Sequence, residues 1–215
     1  MEYPKIETLY DRDEKNHKVI VTKTRLPEFE NIKHWRVTEK IDGTNIRIIL
    51  SSGSSLQFRG RTDNAQMPAP LLAYLEATLT LEKMQSAFPR VVNSPVILFG
   101  EGYGEKIQNG GNYRKGVSFR LFDVVVDQWW LEPANVEDIA GKLGIQIAPV
   151  LPPIDALPTC STDLAGILGH DGKSPTAIAE GGAGCRAEGI VARTSPLLLT
   201  RRGDRLMWKL KFRDF

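Results

Sequence analysis

The sequence predicts an α+β fold with mostly antiparallel sheets and flanking helices. Short β-prone segments outnumber helical ones, and tight turns separate several of them. Strands and helices do not alternate regularly, which argues against a parallel doubly wound sheet. The chain has 215 residues, of which 41% are hydrophobic and 25% charged. It is therefore long enough to form a domain with a buried core.

The strand predictions depend on runs of β-branched and aromatic residues. Asp42 and Gly43 form a tight turn between the first two of these runs. Trp129 and Trp130 follow another turn and are expected to pair back onto a long strand. The main expected strands cover residues 35–41, 45–50, 56–61, 96–99, 117–126, 189–193 and 206–212.

Two helices are predicted from leucine spacing and helix-terminal residues. The first begins near Pro68 and ends before Pro89, with leucines at every fourth position over 71–79. The second runs from about Asn135, its expected N-cap, to Leu143, with Gly144 at the C′ position. Residues 151–184 are rich in Pro, Gly and Ser, so we expect loops there with one or two short helices, such as 163–168.

Composition excludes several classes of protein. Two cysteines, Cys160 and Cys185, are too few for a disulfide scaffold or a cysteine-based zinc module. No apolar run approaches the ~20 residues of a membrane span, and the N-terminus lacks a signal-peptide core, so we expect a cytoplasmic protein without membrane contact. Over residues 186–215, Lys and Arg outnumber Asp and Glu by eight to three. This excess predicts a polyanionic partner.

Two glycine-containing segments carry ionisable groups at the ends of strands. Lys40 ends an apolar strand beside the Asp42–Gly43 turn, where a lysine amine is a candidate nucleophile or simply an exposed lysine. Glu101 lies in a glycine-rich segment that would let the backbone approach a ligand closely. The alternative for Glu101 is a solvated side chain in a flexible loop.

Two further segments lie near the C-terminal end. Glu188 begins a β-branched strand and could ligate Mg²⁺, or it could be an ordinary edge-strand charge. Alternation places Lys209 and Lys211 on one face of the last strand. Two lysines on an inward face would repel each other unless an anion lay between them; otherwise the strand is basic and faces solvent.

Taken together and in this order, these segments resemble the motifs of the covalent nucleotidyltransferase superfamily, which comprises polynucleotide ligases and mRNA-capping enzymes. Residues 40–45 resemble the nucleophile motif K-x-D/H-G-x-N/R, and residues 59–62 resemble the arginine segment downstream of it. The other matches are Glu101, residues 119–123, residues 188–191 and residues 209–211.

Within the superfamily, the sequence is most similar to bacteriophage-type RNA ligases of the RNA ligase 2 family. The features in common are Asn45 at the end of the nucleophile motif, Arg61 followed by threonine, and the final Lys-Leu-Lys followed by Phe212. The resemblance implies a single nucleotidyltransferase (adenylyltransferase) domain of the ligase type over residues 1–215. It also leads us to expect no C-terminal nucleic-acid-binding domain, because the chain stops soon after Lys211.

The resemblance further implies an ATP-dependent RNA ligase. Such an enzyme joins 5′-phosphate and 3′-hydroxyl ends through a lysyl–AMP and an adenylylated 5′-end, with Mg²⁺ or Mn²⁺. Expected partners are RNA or a nicked duplex containing RNA, and we expect a monomer that serves RNA repair in a bacterial or phage-infected cell.

The family resemblance also assigns residues to roles. The catalytic residues would be Lys40, Lys209 and Lys211. Nucleotide contacts would come from Glu39, Asn45, Arg61, Glu101, Phe122 and Glu188. Glu188 and Asp42 would hold the metal. Arg59, Arg201 and Arg202 are candidates for nucleic-acid contact.

Three alternatives stay open at this point. The chain could be the catalytic domain of an ATP-dependent DNA ligase, a GTP-using capping enzyme, or an inactive nucleic-acid-binding relative. Asn45 argues against the first two, which usually have arginine there. The retained Lys40 argues against the third.

Overall fold

The computed structural model describes residues 1–51, 54–89, 94–182 and 184–215. The chain forms two compact units. The Asp42 unit comprises residues 1–4 and 42–148, and the Lys40 unit comprises residues 5–41 and 149–215. The boundary thus falls inside the nucleophile-like motif, between Ile41 and Asp42. No helix in the described part of the chain is long and apolar enough to cross a membrane.

The regular elements are as follows. The strands are β1 (Glu7–Thr8), β2 (Tyr10–Arg12), β3 (Val19–Thr24), β4 (Trp35–Lys40), β5 (Thr44–Ser51), β6 (Ser55–Gly60), β7 (Val96–Gly104), β8 (Val117–Val126), β9 (Trp129–Trp130), β10 (Gln146–Ile147), β11 (Val150–Ile154), β12 (Gly189–Arg193) and β13 (Met207–Lys211). The helices are α1 (Glu28–Asn31), α2 (Ala69–Thr78), α3 (Leu81–Ala87), α4 (Pro133–Leu143), α5 (Ser161–Leu168) and α6 (Pro175–Ala179).

The Lys40 unit contains a sheet of five strands in the order β1-β13-β12-β4-β11. All neighbours are antiparallel except β1 and β13. One face carries a core that includes Trp35, Leu164, Ile190 and Trp208. Because side chains alternate along a strand, lysines an odd number of residues from these core positions, such as Lys209 next to Trp208, lie on the other face.

The Asp42 unit contains a sheet in the order β10-β8-β7-β5-β6, with β9 paired to β8. Helices α2, α3 and α4 contribute to the core on one face, where Leu71, Leu75 and Ile139 pack with Ile46 and Leu98. The opposite face carries polar residues of the motifs, among them Asn45 and Glu101.

The sequence prediction of one continuous helical segment before Pro89 is wrong. The segment is divided into α2 and α3, because the side chain of Thr80 accepts a hydrogen bond from the backbone N–H of Lys83 and starts a new helix. The second predicted helix also begins earlier than expected: Glu132 is its N-cap and Pro133 its first residue. Its C-terminus agrees, with Gly144 in the left-handed conformation at φ 67°.

Most predicted strands are present with small changes at their ends. The short strands β1, β2, β3, β10 and β11 were not predicted, and β11 lies in the Pro-rich stretch expected to form loops. Only Ala183 of that stretch lies outside the described residues. The predicted class, α+β with mostly antiparallel sheets, is confirmed.

Candidate active site

Two strands of the Lys40 unit, β4 and β13, bring lysines to one face of the sheet. β12 lies between β4 and β13, and Gly189 is directly opposite Lys40 on one side and Lys211 on the other. Directly opposed residues of antiparallel strands have their side chains on the same face. Val191, two residues along β12, is opposite Lys209. Lys209 therefore shares this face, as the alternation in the sequence predicts.

The carboxylate of Glu188 pairs with the two lysines at the end of this face. Nζ of Lys40 donates to Oε2 of Glu188 at 2.7 Å, and Nζ of Lys211 pairs with Oε1. The side chains of Lys40, Glu188 and Lys211 are only 21%, 12% and 11% exposed, so water screens their charges weakly. Burial alone would raise the pKa of the Glu188 carboxyl, but the charges of the two lysines outweigh it and hold that pKa below its usual value.

Lys209 has a different environment. It has no carboxylate partner among the described residues. Burial, together with the positive charges of Lys211 and Lys40, lowers the pKa of Lys209 to about 8. A negatively charged ligand on this face would relieve the repulsion, so the arrangement favours an anion such as a polyphosphate.

Gly189 leaves room for this arrangement. A Cβ atom at this position would lie 2.7 Å from Cα of Lys211 and 3.0 Å from the carbonyl carbon of Leu210. Real Cβ atoms do not approach so closely, so any side chain at position 189 would push β13 away from β12. The glycine therefore permits the close strand pairing that brings Lys211 to Glu188.

Glu39, although adjacent to Lys40, lies on the buried face of the sheet. It is opposite Ile190, which belongs to the core, and it is only 2% exposed. Its Oε1 accepts a hydrogen bond from the hydroxyl of Ser174, and its Oε2 accepts from the backbone N–H of Thr176 at 2.8 Å and from its hydroxyl at 2.6 Å. The nucleotide contact expected of Glu39 stays a prediction.

Ser174 and Thr176 were not predicted as site residues. Ser-Pro at 174–175 is a pattern for a helix N-terminus, and Ser174 does cap α6. That pattern could have located the helix. No local pattern identifies a carboxylate 135 residues earlier as its partner.

In the Asp42 unit, three polar residues form a row across adjacent strands. Asn45 of β5 is opposite Glu101 of β7, which is opposite Arg120 of β8. The row lies on the face away from the core, because Ile46, which directly follows Asn45 in β5, points into the core. Oδ1 of Asn45 is buried without a hydrogen-bond partner, so this acceptor is available for a ligand.

Asp42 is held at the start of the same unit. Its Oδ2 accepts a hydrogen bond from Nδ2 of Asn109 at 2.8 Å, and its backbone N–H donates to Oη of Tyr113 at 3.2 Å. A Cβ on Gly43 would lie 3.0 Å from Cγ of Glu101, so this glycine allows the turn to approach β7. Asn109 and Tyr113 were not predicted as site residues.

Phe122 lies at a β-bulge. Asp123 is opposite Phe99 and Leu121 is opposite Gly100, which leaves Phe122 as the extra residue of β8. Bulges of this kind redirect a side chain and are frequent beside functional sites. The ring of Phe122 is half-buried and packs edge-on against Tyr3, with centroids 5.1 Å apart. Stacking of Phe122 on a base stays a prediction.

The predicted arginines lie at the surface. Arg59 is exposed on β6 with Nη2 3.4 Å from Oε1 of Gln57, and Arg61 is exposed just after that strand. Arg201 and Arg202 are exposed in the turn before β13. Exposed guanidinium groups suit contact with backbone phosphates, but none of these side chains is assigned a ligand by its position alone.

The donor set also bears on metal binding. No group of three or more metal-ligating side chains occurs within the described ranges. Glu188 offers one carboxylate on the lysine face, and Asp42 offers one beside Asn109. Mg²⁺ commonly binds one or two carboxylates and completes its coordination with water and substrate phosphates. Each carboxylate is of the kind that Mg²⁺ binds, and a metal role for Glu188 and for Asp42 stays a prediction.

Comparison with known proteins identifies a family. The family model for RNA ligase matches residues 33–211, which include every motif described above. A comparison with curated proteins gave no match.

Solved structures of an RNA ligase from Naegleria gruberi share the fold. One, a lysine-to-alanine variant with ATP and Mn, is 20% identical with a TM-score of 0.64, and the match covers 98% of this chain and 57% of that one. Another, a lysine-to-methionine variant with AMP and Mn, is 20% identical with a TM-score of 0.62 and the same coverage. A third, with pyrophosphate, is 18% identical with a TM-score of 0.59 and coverages of 97% and 61%. The chain thus spans about three fifths of the length of these ligases.

From the extent of the family match, together with the shared fold, the chain belongs to the RNA ligase family.

Proposed function

We propose that the chain is an ATP-dependent RNA ligase that uses Lys40 as its nucleophile. The observation that carries the proposal is the pairing of Glu188 with Lys40 and Lys211 on a face that also holds Lys209. Family membership and the ATP, AMP and pyrophosphate named in the similar ligase structures support it.

In the first step, Nζ of Lys40 attacks the α-phosphorus of ATP. The uncharged form of the amine attacks, a P–N bond forms, the bond from that phosphorus to the pyrophosphate oxygen breaks, and the amine releases a proton to solvent. Lys209 and Lys211 stabilise the negative charge of the transition state and of the leaving pyrophosphate. Because these lysines are fixed by the sheet, little reorganisation is needed when the charge develops.

In the second step, an oxygen of the 5′-phosphate attacks the phosphorus of the lysyl–AMP and the P–N bond breaks, which returns the lysine amine. In the third step, a 3′-hydroxyl attacks the 5′-phosphate, loses its proton to solvent and displaces AMP. Asn45, Glu101, Arg61 and Phe122 are proposed to bind the nucleoside, and Glu188 and Asp42 a divalent ion. That ion, Mg²⁺ or Mn²⁺, would act as a Lewis acid on phosphate oxygens.

RNA, or a nicked duplex that contains RNA, is the proposed substrate. Arg59, Arg201 and Arg202 are proposed to contact its backbone. The organisation of residues 1–215 as one nucleotidyltransferase domain, the monomeric state, the location in a bacterial or phage-infected cytoplasm and a role in RNA repair are proposed with it.

The proposal can be tested by covalent labelling. The protein should retain radioactivity from ATP labelled in its α-phosphate, but not in its γ-phosphate, after denaturing electrophoresis, and added pyrophosphate should remove the label. Lys40→Ala should abolish labelling, whereas Lys33→Ala, at an exposed lysine of the same unit, should leave it unchanged. Labelling of Lys40→Ala would contradict the proposal. Preferential labelling by GTP would favour a capping enzyme, and joining of DNA ends alone would favour a DNA ligase.

A further inference from the structure

One short segment contacts the chain next to both members of the Lys40–Glu188 ion pair. We call residues 172–176 the brace. Its Ser174 and Thr176 bind Glu39, which precedes Lys40. Its backbone pairs with residues 185–187, which precede Glu188.

The pairing with residues 185–187 is specific. The backbone N–H of Ser174 donates to the carbonyl oxygen of Cys185 at 2.8 Å, and that of Ala187 donates to the carbonyl oxygen of Gly172 at 3.0 Å. Lys173 and Arg186 form an antiparallel bridge between these bonds. The backbone immediately before Glu188 is therefore fixed to the brace.

The brace also contacts the buried carboxylate of Glu39, which accepts hydrogen bonds from three donors of the brace. Ser174 and Thr176 are fully buried, and Glu39 is nearly so. A buried carboxylate is stable only when hydrogen bonds replace its lost water, so the two hydroxyls and the N–H of Thr176 hold Glu39 firmly. Ser174 is itself fixed, because its Oγ accepts from the backbone N–H of Ala177 at 3.0 Å.

We propose that Ser174 and Thr176 are positioning residues: by holding Glu39 on the buried face, they set the position of Lys40 relative to Glu188. In this role Glu39 anchors the end of β4 and does not contact the base. The proposal rests on the proposed function, because positioning matters only if Lys40 attacks a nucleotide. Misplacement of a reacting group by about 1 Å can reduce a rate about 100-fold.

The test compares variants that remove or keep a hydroxyl. Thr176→Val keeps the shape of the side chain and loses the hydroxyl, Thr176→Ser keeps the hydroxyl, and Ser174→Ala removes the other one. Thr194→Val is the matched control, since Thr194 is a buried threonine of the same unit whose hydroxyl accepts from the N–H of Leu198, away from Glu39.

The first measurement is the single-turnover rate of lysyl–AMP formation against ATP concentration. We expect Thr176→Val and Ser174→Ala to lower the rate at saturating ATP at least about tenfold. The ATP concentration for half the maximal rate should change less than about threefold, because the anchor does not bind the nucleotide. Thr176→Ser should restore most of the rate. Rates for Thr176→Val equal to those of Thr194→Val would overturn the proposal.

The second measurement separates an anchor from a base contact. Glu39→Gln is assayed with ATP and with purine riboside triphosphate, which lacks the exocyclic amine. An anchor predicts a lower rate with both and an unchanged ratio between them. A ratio that moves towards one would mean that Glu39 recognises the amine.

A third measurement keeps the inference testable if the wild-type protein forms no lysyl–AMP, which would refute the proposed function. Hydrogen exchange should then be faster in peptides that cover 36–41 and 185–189 for Thr176→Val than for Thr194→Val. Equal exchange in these peptides would refute the brace independently of activity.

Discussion

Nζ of Lys40 lies 2.7 Å from Oε2 of Glu188, so the proposed nucleophile forms an ion pair with the proposed metal ligand. The other oxygen of the same carboxylate pairs with Lys211. Glu188 thus both holds the amine in place and separates two positive charges that would otherwise repel each other.

Glu188→Gln should therefore reduce lysyl–AMP formation strongly. The amide has the same shape but no charge, so it neither attracts the two lysines nor binds a divalent ion well. Loss of one such preorganised interaction typically costs on the order of 10²–10³ in rate. Asp155→Asn, at an exposed carboxylate of the same unit, serves as the control. Labelling by Glu188→Gln at the control's rate would show that the ion pair plays no part in the reaction.

Lys209→Met should make the protein more stable at pH 7 and slower to react with ATP. Burial and the neighbouring lysines lower the pKa of Lys209 to about 8, so the fold disfavours its charged form. Below that pH the cation reduces stability. As pH rises from about 8 towards the unfolded-state value near 10.4, this cost disappears, because the unfolded chain then binds more protons than the folded one.

Urea unfolding of wild type and Lys209→Met at pH 7 and pH 9 measures this effect. The free energy of unfolding of the variant should exceed that of wild type at pH 7, and the difference should shrink at pH 9. A variant less stable than wild type at pH 7 would show that the packing of the lysine stem outweighs the repulsion.

Tyr3 should support Phe122. Its hydroxyl donates to Oδ2 of Asp123 at 2.5 Å, and its ring packs edge-on against Phe122. Tyr3→Phe keeps the ring and loses the hydrogen bond, whereas Tyr3→Leu loses both. We expect the ATP concentration for half-maximal labelling to rise in the order wild type, Tyr3→Phe, Tyr3→Leu, because Phe122 loses its orientation. The same half-maximal concentration in all three proteins would indicate that Tyr3 packs without influencing the nucleotide site.

Salt should suppress end joining before it suppresses lysyl–AMP formation. The proposed RNA contacts come from exposed arginines, and binding of backbone phosphates weakens steeply with salt. The lysine face is largely buried and less screened. A potassium chloride titration that follows both reactions in the same samples tests this difference, and equal salt dependence would contradict it.

The double variant Arg201→Ala/Arg202→Ala should weaken end joining and leave labelling intact. Lys15→Ala/Lys33→Ala removes two charges from exposed positions in the same unit and is the control. If both double variants join ends equally well, the turn at 200–203 is not an RNA-binding surface.

The sequence predicted those features that depend on local pattern. Alternation along 206–212 placed Lys209 and Lys211 on one face, and the register of β12 and β13 confirms it. Order and spacing of motifs indicated the RNA ligase family, which the family match confirms. The division between α2 and α3 was missed because the leucine spacing ignores the cap that Thr80 provides.

Contacts between distant segments could not be predicted in this way. Ser174 and Thr176 donate hydrogen bonds to Glu39 from 135 and 137 residues away in the sequence, and no propensity or spacing encodes such a contact. The bulge at Phe122 is likewise a property of the pairing between β7 and β8. Glu188 was recognised as a carboxylate with a possible metal role, but its two lysine partners required the sheet register.

Position 189 is intolerant of substitution for a steric reason, which is separate from the chemistry of the reaction. A Cβ there would meet the backbone of β13, which no rotamer choice can move aside. A library randomised at position 189 and selected for ligation should therefore return glycine alone, while Val191, whose side chain is already accommodated on the same face, should tolerate other branched residues. Glycine at position 189 would then be required by the close spacing of β12 and β13. A design that transfers the lysine face to another sheet must reproduce that spacing.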